Sequence, residues 1–193
     1  MTAATFAPLS VAELKAHLRV DNADEDELIA SLGVAARDYC EQQTSHILCA
    51  RNFYLEADEF PSERNDIVLP IGPVSAIVQV GWRVLGSGDP VQVGTSGTHY
   101  RASTNLNPAR LRLPLAMGAW PSTEVATDAV QVTVTAGYAS PAAVPDMAKH
   151  AIRLIVGHWF ENREAVVNGT ISTDVKFTVD ALLGTMKSRD MLL

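Results

Sequence analysis

Residues 144–167, VPDMAKHAIRLIVGHWFENREAVV, constrain the fold more than any other stretch of the chain. Apolar side chains fall at Ala148, Ala151, Ile152, Ile155, Val156, Trp159 and Phe160, the i, i+3, i+4, i+7 spacing of one buried helical face. Pro145 and Asp146 stand where this helix begins, because a fixed φ and a negative charge both suit a first turn. Lys149, His150, Arg153, His158, Glu161 and Arg163 lie mostly off the apolar face. The helix closes on a dense polar cluster, Glu161-Asn162-Arg163-Glu164, directly after two aromatics. That cluster has two readings: a C-terminal cap with charge pairs, or a contact between subunits. Arg163 stands only two residues from Glu161 and cannot pair with it across a turn, but it could reach an Asp or Glu on another helix or a neighbouring subunit.

Two further helices are predicted near the N-terminus. Ser10 and Glu13 form a capping box, and Val11, Leu14 and Leu18 give the short helix that follows an apolar stripe. Residues 21–24 break it and offer the next N-cap at Asp24. A helix of roughly 20 residues, ~30 Å long, then runs over 24–44. Leu28, Ile29, Leu32, Ala35, Ala36, Tyr39 and Cys40 form its stripe. The acidic run Asp24-Glu25-Asp26-Glu27 offsets its dipole and needs no cation.

Between residues 47 and 138 the pattern changes to period-2 runs punctuated by Pro, Gly, Ser and Thr. Residues 130–136 alternate Val with Gln or Thr and form the clearest strand. A strand over 76–85 would carry Val78, Val80, Trp82 and Val84 on one face. Shorter segments fall near 52–56, 91–93, 100–101 and 110–113, with a turn over 86–90. Five or so antiparallel strands would make a small sandwich or barrel-like insert. Beyond the long helix, residues 168–170 read as a turn, 171–179 as a loop or short extended segment, and 179–186 as a helical turn or two. The fold class is therefore α+β. A helical bundle core (two N-terminal helices, one long C-terminal helix, a short terminal helix) carries an inserted antiparallel β-rich region. The divisions are 1–46, 47–138 and 139–193.

No set of residues points to catalysis. His150 and His158 are ~12 Å apart along one helix, too far to share a metal. His158 and Glu161 share a face at i, i+3, but no HExxH accompanies them, and a surface or interface pair is the plainer reading. There is no G-x-S-x-G, and neither Gly86-Ser87-Gly88 nor Gly94-Thr95-Ser96-Gly97 is followed by the Lys-Ser/Thr of a phosphate loop. The expectation is no enzyme, no cofactor and no metal. Cys40 and Cys49 are read as two buried free thiols; with no signal peptide and no membrane-length apolar run, a reducing cytoplasmic setting is expected. A formal net charge of −7 argues against a surface that grips nucleic acid.

Three strings in order resemble one family. Trp159-Phe160-Glu161-Asn162-Arg163-Glu164-Ala165 looks like the W-[YF]-E-N-R-E-A signature of phage head–tail connector (adaptor) proteins, including prophage and gene-transfer-agent members. The opening Leu9-Ser10-Val11-Ala12-Glu13-Leu14-Lys15-Ala16-His17-Leu18-Arg19-Val20, and the helix ending in Tyr39-Cys40-Glu41, resemble that family's first two helices. Val132-Thr133-Val134-Thr135-Ala136-Gly137-Tyr138 is close to its "VTYTAGY", with Val134 where tyrosine is usual. The usual Pro-Tyr-Arg ending is absent, replaced by Thr185-Met186-Lys187.

The resemblance implies a structural protein that forms a ring, expected in twelve copies, under the portal protein. Such a ring extends the DNA channel and provides the tail attachment site. Its partners would be the portal, further copies of itself and a downstream neck or tail protein, with DNA only as passing cargo and no membrane. It would sit in the neck of a virion or phage-like particle assembled in the bacterial cytoplasm. Trp159, Phe160, Glu161, Asn162, Arg163 and Glu164 are the candidate core and subunit contacts, and Leu182, Leu183, Met191, Leu192 and Leu193 the candidate portal contacts. Two alternatives remain: another neck or tail-completion component, or a soluble module whose β insert holds a small ligand.

Overall fold

The computed structural model describes residues 2–62, 66–86, 92–124, 126–162 and 173–186. It is a mixed α+β chain. The helices are α1 (Val11–Leu18), α2 (Asp26–Thr44), α3 (Asp146–Glu161) and α4 (Thr173–Gly184). The strands are β1 (Arg51–Ala57), β2 (Ile67–Val68), β3 (Val74–Trp82), β4 (Gln92–Val93), β5 (Arg101–Ser103), β6 (Arg110–Arg112) and β7 (Val130–Ala136). The described residues divide into two compact units, one holding 4–49 and 138–186 and the other 2–3 and 50–137. No described helix is long and apolar enough to cross a membrane.

In the helical unit, the capping box forms as the spacing predicts. Ser10 Oγ accepts from the Glu13 amide at 3.2 Å, and the Glu13 carboxylate accepts from the Ser10 amide at 2.8 Å. These bonds from the Ser10 backbone and then its hydroxyl hold the Glu13 carboxyl below its ordinary range. α2 departs from expectation at its start. It begins at Asp26, with Glu25 at the N-cap and no side-chain capping bond; Asp24 is engaged by Asn22 instead. Asp26 takes Lys15 Nζ at 2.6 Å and so ties the first turn of α2 to α1.

The α2 stripe is narrower than predicted. Ile29, Leu32, Ala36 and Cys40 are buried, whereas Leu28 and Ala35 are exposed. The width is made up by polar residues with local partners. Buried Glu41 accepts the Leu48 amide at 2.8 Å, and buried Thr44 bonds the Cys40 carbonyl and the His46 amide. A buried carboxylate normally costs free energy, and here a backbone donor in the loop after the helix satisfies it. Cys40 and Cys49 are both free and buried, and burial pushes the Cys40 thiol up to about 12.

On α3, Ala148, Ala151, Ile152, Ile155, Val156 and Trp159 are all buried, as the period predicts. α4 corrects the expectation of a loop over 171–179. Its helix begins at Thr173 and places Val179, Leu183 and Met186 in the core. Val175, Val179 and Leu182 recur at helical spacing, but the β-branched Val175, Thr178 and Val179 lower local helix propensity. Burial of the apolar face decides the matter. Residues from all four helices share one apolar core.

The β unit contains two antiparallel sheets among the described residues, ordered β1-β7-β3-β4 and β2-β6-β5. β7 is central in the first, with Val130, Val132, Val134 and Ala136 buried and the intervening polar residues half-exposed. The segment's first and last strands pair along their full length, Arg51 opposite Ala136 and Ala57 opposite Val130. The chain therefore enters and leaves this unit side by side.

β3 does not keep one apolar face. Its pairing with β7 shifts register between Val74 and Ala76 and again between Ile77 and Gln79. These irregularities turn Val78 outward while Val80 and Trp82 stay buried, and Val84 lies beyond the strand in an isolated bridge to Thr123. Phe60 stacks on Trp120 at 4.9 Å and meets Trp82 edge-on at 6.0 Å. Asp66 joins Arg112 at 3.0 Å on the second sheet. Of the short segments, β4 begins at Gln92 and pairs with Gly81 and Trp82. The turn at 87–90, residue Val91 and the turn at 168–170 lie outside the described residues.

Candidate functional site

The end of α3 gathers most of the residues that the sequence singles out. Trp159 is 9% exposed and meets Tyr39 of α2 edge-to-face, with ring centroids 6.5 Å apart. This arrangement sets a positive ring edge against a negative ring face and adds to the area the indole buries. Trp159 Nε1 is buried with no hydrogen-bond partner among the described residues. Phe160 is half-buried and packs on the same core. One step further the surface turns polar. Glu161 and Asn162 are exposed, and Asn162 is the C-cap. Its backbone amide and side-chain amide both donate to the His158 carbonyl, at 3.0 Å and 2.9 Å. An otherwise orphaned carbonyl of the last turn is thus doubly satisfied. Arg163 and Glu164 lie outside the described residues.

The second set of candidates separates. Leu182 is half-buried and packs against the core, whereas Leu183 is 1% exposed and lies within it. Met191, Leu192 and Leu193 lie outside the described residues. α4 also presents Phe177, 76% exposed, which the periodicity did not single out.

Among the described residues of this region, no group of side chains is arranged as a reaction centre. Among the described residues no three His, Cys, Asp or Glu side chains are placed to hold a metal ion. His158 Nδ1 lies 3.3 Å from the Asn162 side-chain amide, so the pair it forms is with the cap residue. Glu13 takes Arg153 at 4.0 Å, joining α1 to α3 at the surface. In the β unit, a cavity of about 500 Å³ lies beside Leu55, Ala57, Leu69, Val130 and Val132. Its acidic members are Glu56 and Glu59, both exposed, and Asp66, already engaged by Arg112. It is an apolar concavity with a charged rim, not a set of convergent ligand-binding groups.

Among the described residues, those the sequence singles out serve packing, capping and exposed surface. Comparison with known proteins bears on the role. Residues 8–80 match the family model described as phage gp6-like head–tail connector protein. Among solved structures, a chain from the neck of an empty gene-transfer-agent particle, computed with C6 symmetry, is similar at 25% identity and a TM-score of 0.77. The match covers 100% of this chain and 95% of that one. Chains from a native gene-transfer-agent virion (24% identity, TM-score 0.73) and from a native particle neck computed with C12 symmetry (22%, 0.74) share the fold over the same extents. No curated protein sequence matches. The likeness to the phage head–tail connectors thus has two parts: the family model matches the first helices and first strands, residues 8–80, and the whole length is similar in fold to a particle-neck chain.

Proposed function

We propose that this protein is a head–tail connector of a tailed phage or phage-like particle, forming a ring of twelve copies beneath the portal. The ring extends the DNA channel and provides the seat for the next neck or tail protein. The observation that carries this reading is the full-length likeness, at 25% identity, to a chain in the neck of a gene-transfer-agent particle. The function is mechanical. Repeated heterologous contacts close a ring around an axis, and DNA passes through it without being bound tightly. The net charge of −7 suits that passage, because an acidic wall repels the phosphate backbone. Assembly in the bacterial cytoplasm belongs to the same reading.

Within it, residues 1–46 and 139–193 supply the helical bundle and residues 47–138 the inserted β region. Trp159 and Phe160 anchor the end of α3 in the core. Glu161, Asn162, Arg163 and Glu164 form the polar rim against which a neighbouring copy packs. Portal contact is assigned to the C-terminal segment, through Leu182 and through Met191, Leu192 and Leu193. Leu183 supports it from inside the core rather than touching a partner.

The purified chain, mixed with the portal of its own particle and imaged by electron microscopy, is expected to add a twelve-fold layer of density to one end of the portal ring. Portal rings that stay bare at saturating concentrations of this protein would overturn the reading.

A further inference from the structure

Every second residue of β1 turns its main-chain groups away from β7. Among the described residues β1 is the terminal strand of its sheet. Asn52 bonds outward to Thr2, its carbonyl accepting the Thr2 amide and its own amide donating to Thr2 Oγ1, both at 3.0 Å. Main-chain groups two residues apart on a strand point the same way, so those of Tyr54 and Glu56 also face outward. They have no such partner among the described residues. An open edge of this kind is a template for another strand. The two faces beside it differ. On one, Leu55 stands opposite Val132 and Ala57 opposite Val130, and these four with Leu69 line the cavity of about 500 Å³. On the other lie Tyr54 and Glu56, with Asp58 just past the strand's end, all three exposed.

We propose that this edge takes an extended segment of the next neck or tail protein as an added strand, one whose residues alternate between apolar and basic. The two faces set that pattern. Directly opposed residues of paired strands share a face, so the added residues opposite Leu55 and Ala57 lie over the cavity and are apolar. Those opposite Glu56 and Asp58 are lysine or arginine, because opposite charges across a strand pair stabilise it and like charges oppose it. Main-chain bonds along the edge add affinity that depends on neither. A second copy of this chain fits less well. Its other described edge strands are β2, β4 and β5, and of these only β5 holds a basic residue, Arg101. The alternating Arg110-Leu111-Arg112 belongs to β6, which is already paired on both sides. That the occupant is a neck or tail protein rests on the connector reading above; the open edge and its chemistry do not.

Hydrogen exchange of the full-length protein tests the edge, with the peptide acetyl-Lys-Val-Lys-Val-Lys-Val-Lys-amide as probe. In the isolated chain the Tyr54 and Glu56 amides are expected to exchange at least 10-fold faster than those of Phe53 and Leu55, which face β7. The probe should slow Tyr54 and Glu56 at least 10-fold, and the same peptide with glutamate for lysine should not. Slow exchange at both amides in the isolated chain overturns the proposal, because the edge is then already covered. So do unchanged rates with the lysine peptide at millimolar concentration, and equal protection by the glutamate peptide. Particles test the partner through Glu56→Lys/Asp58→Lys, a change at two exposed positions that leaves the core untouched. The variant is expected to form its ring on the portal as the parent does, while tail joining falls at least 10-fold. Parent-like joining overturns the proposal and leaves the connector reading intact. If the parent chain itself forms no ring on the portal, that reading fails and the peptide result alone decides the edge.

Discussion

Replacing Trp159 with alanine is expected to remove about 3–5 kcal/mol of stability, read from urea denaturation of the isolated protein by far-ultraviolet circular dichroism. The side chain is 9% exposed, belongs to the core shared by the four helices and meets Tyr39 edge-to-face. Truncation therefore loses the transfer of a large apolar surface and leaves a cavity that Tyr39 cannot fill. Against a typical total of about 5–15 kcal/mol, such a loss leaves the protein marginal. Trp159→Phe is expected to cost much less, because it keeps an aromatic against Tyr39 and gives up an indole N–H that has no partner among the described residues. A loss below about 1 kcal/mol for the alanine variant would show that this residue is not a core anchor.

The second large effect is expected at Val134. It sits on the central strand, 0% exposed, with Phe53 and Ile77 as its register partners on β1 and β3. Val134→Asp buries a charge with no cation facing it in the strand register, a change expected to cost more than about 4 kcal/mol. Hydrogen exchange should show protection lost throughout β1, β3 and β7. Retained protection in those strands would contradict the register described here.

What the sequence disclosed was local and periodic. The face of α3 could be read residue by residue because seven apolar positions repeat at helical spacing, and the capping box because its two residues sit three apart. β7 was legible from alternation alone. α4 was under-read, because β-branched residues give a weak helical signal until the core they enter is known. The irregularities in β3 were invisible, since a register shift depends on the partner strand. The pairing of β1 with β7 spans about eighty residues, a distance over which periodicity carries no information. Buried Glu41 was noticed only as part of a motif; its partner is a backbone amide seven residues away, and amides leave no mark in a sequence. The candidate contacts divided in the same manner. Burial of Trp159 followed from the period, whereas Leu183 proved to be core rather than surface because α4 is longer than its residues announced.

The central claim is that this chain joins head to tail, and particles assembled without it test that most directly. With the chain deleted from an otherwise complete particle system, electron microscopy of the purified products should show DNA-filled heads and free tails, with no joined particles. Restoring the protein should restore joining. Normal tailed particles in its absence would contradict the account.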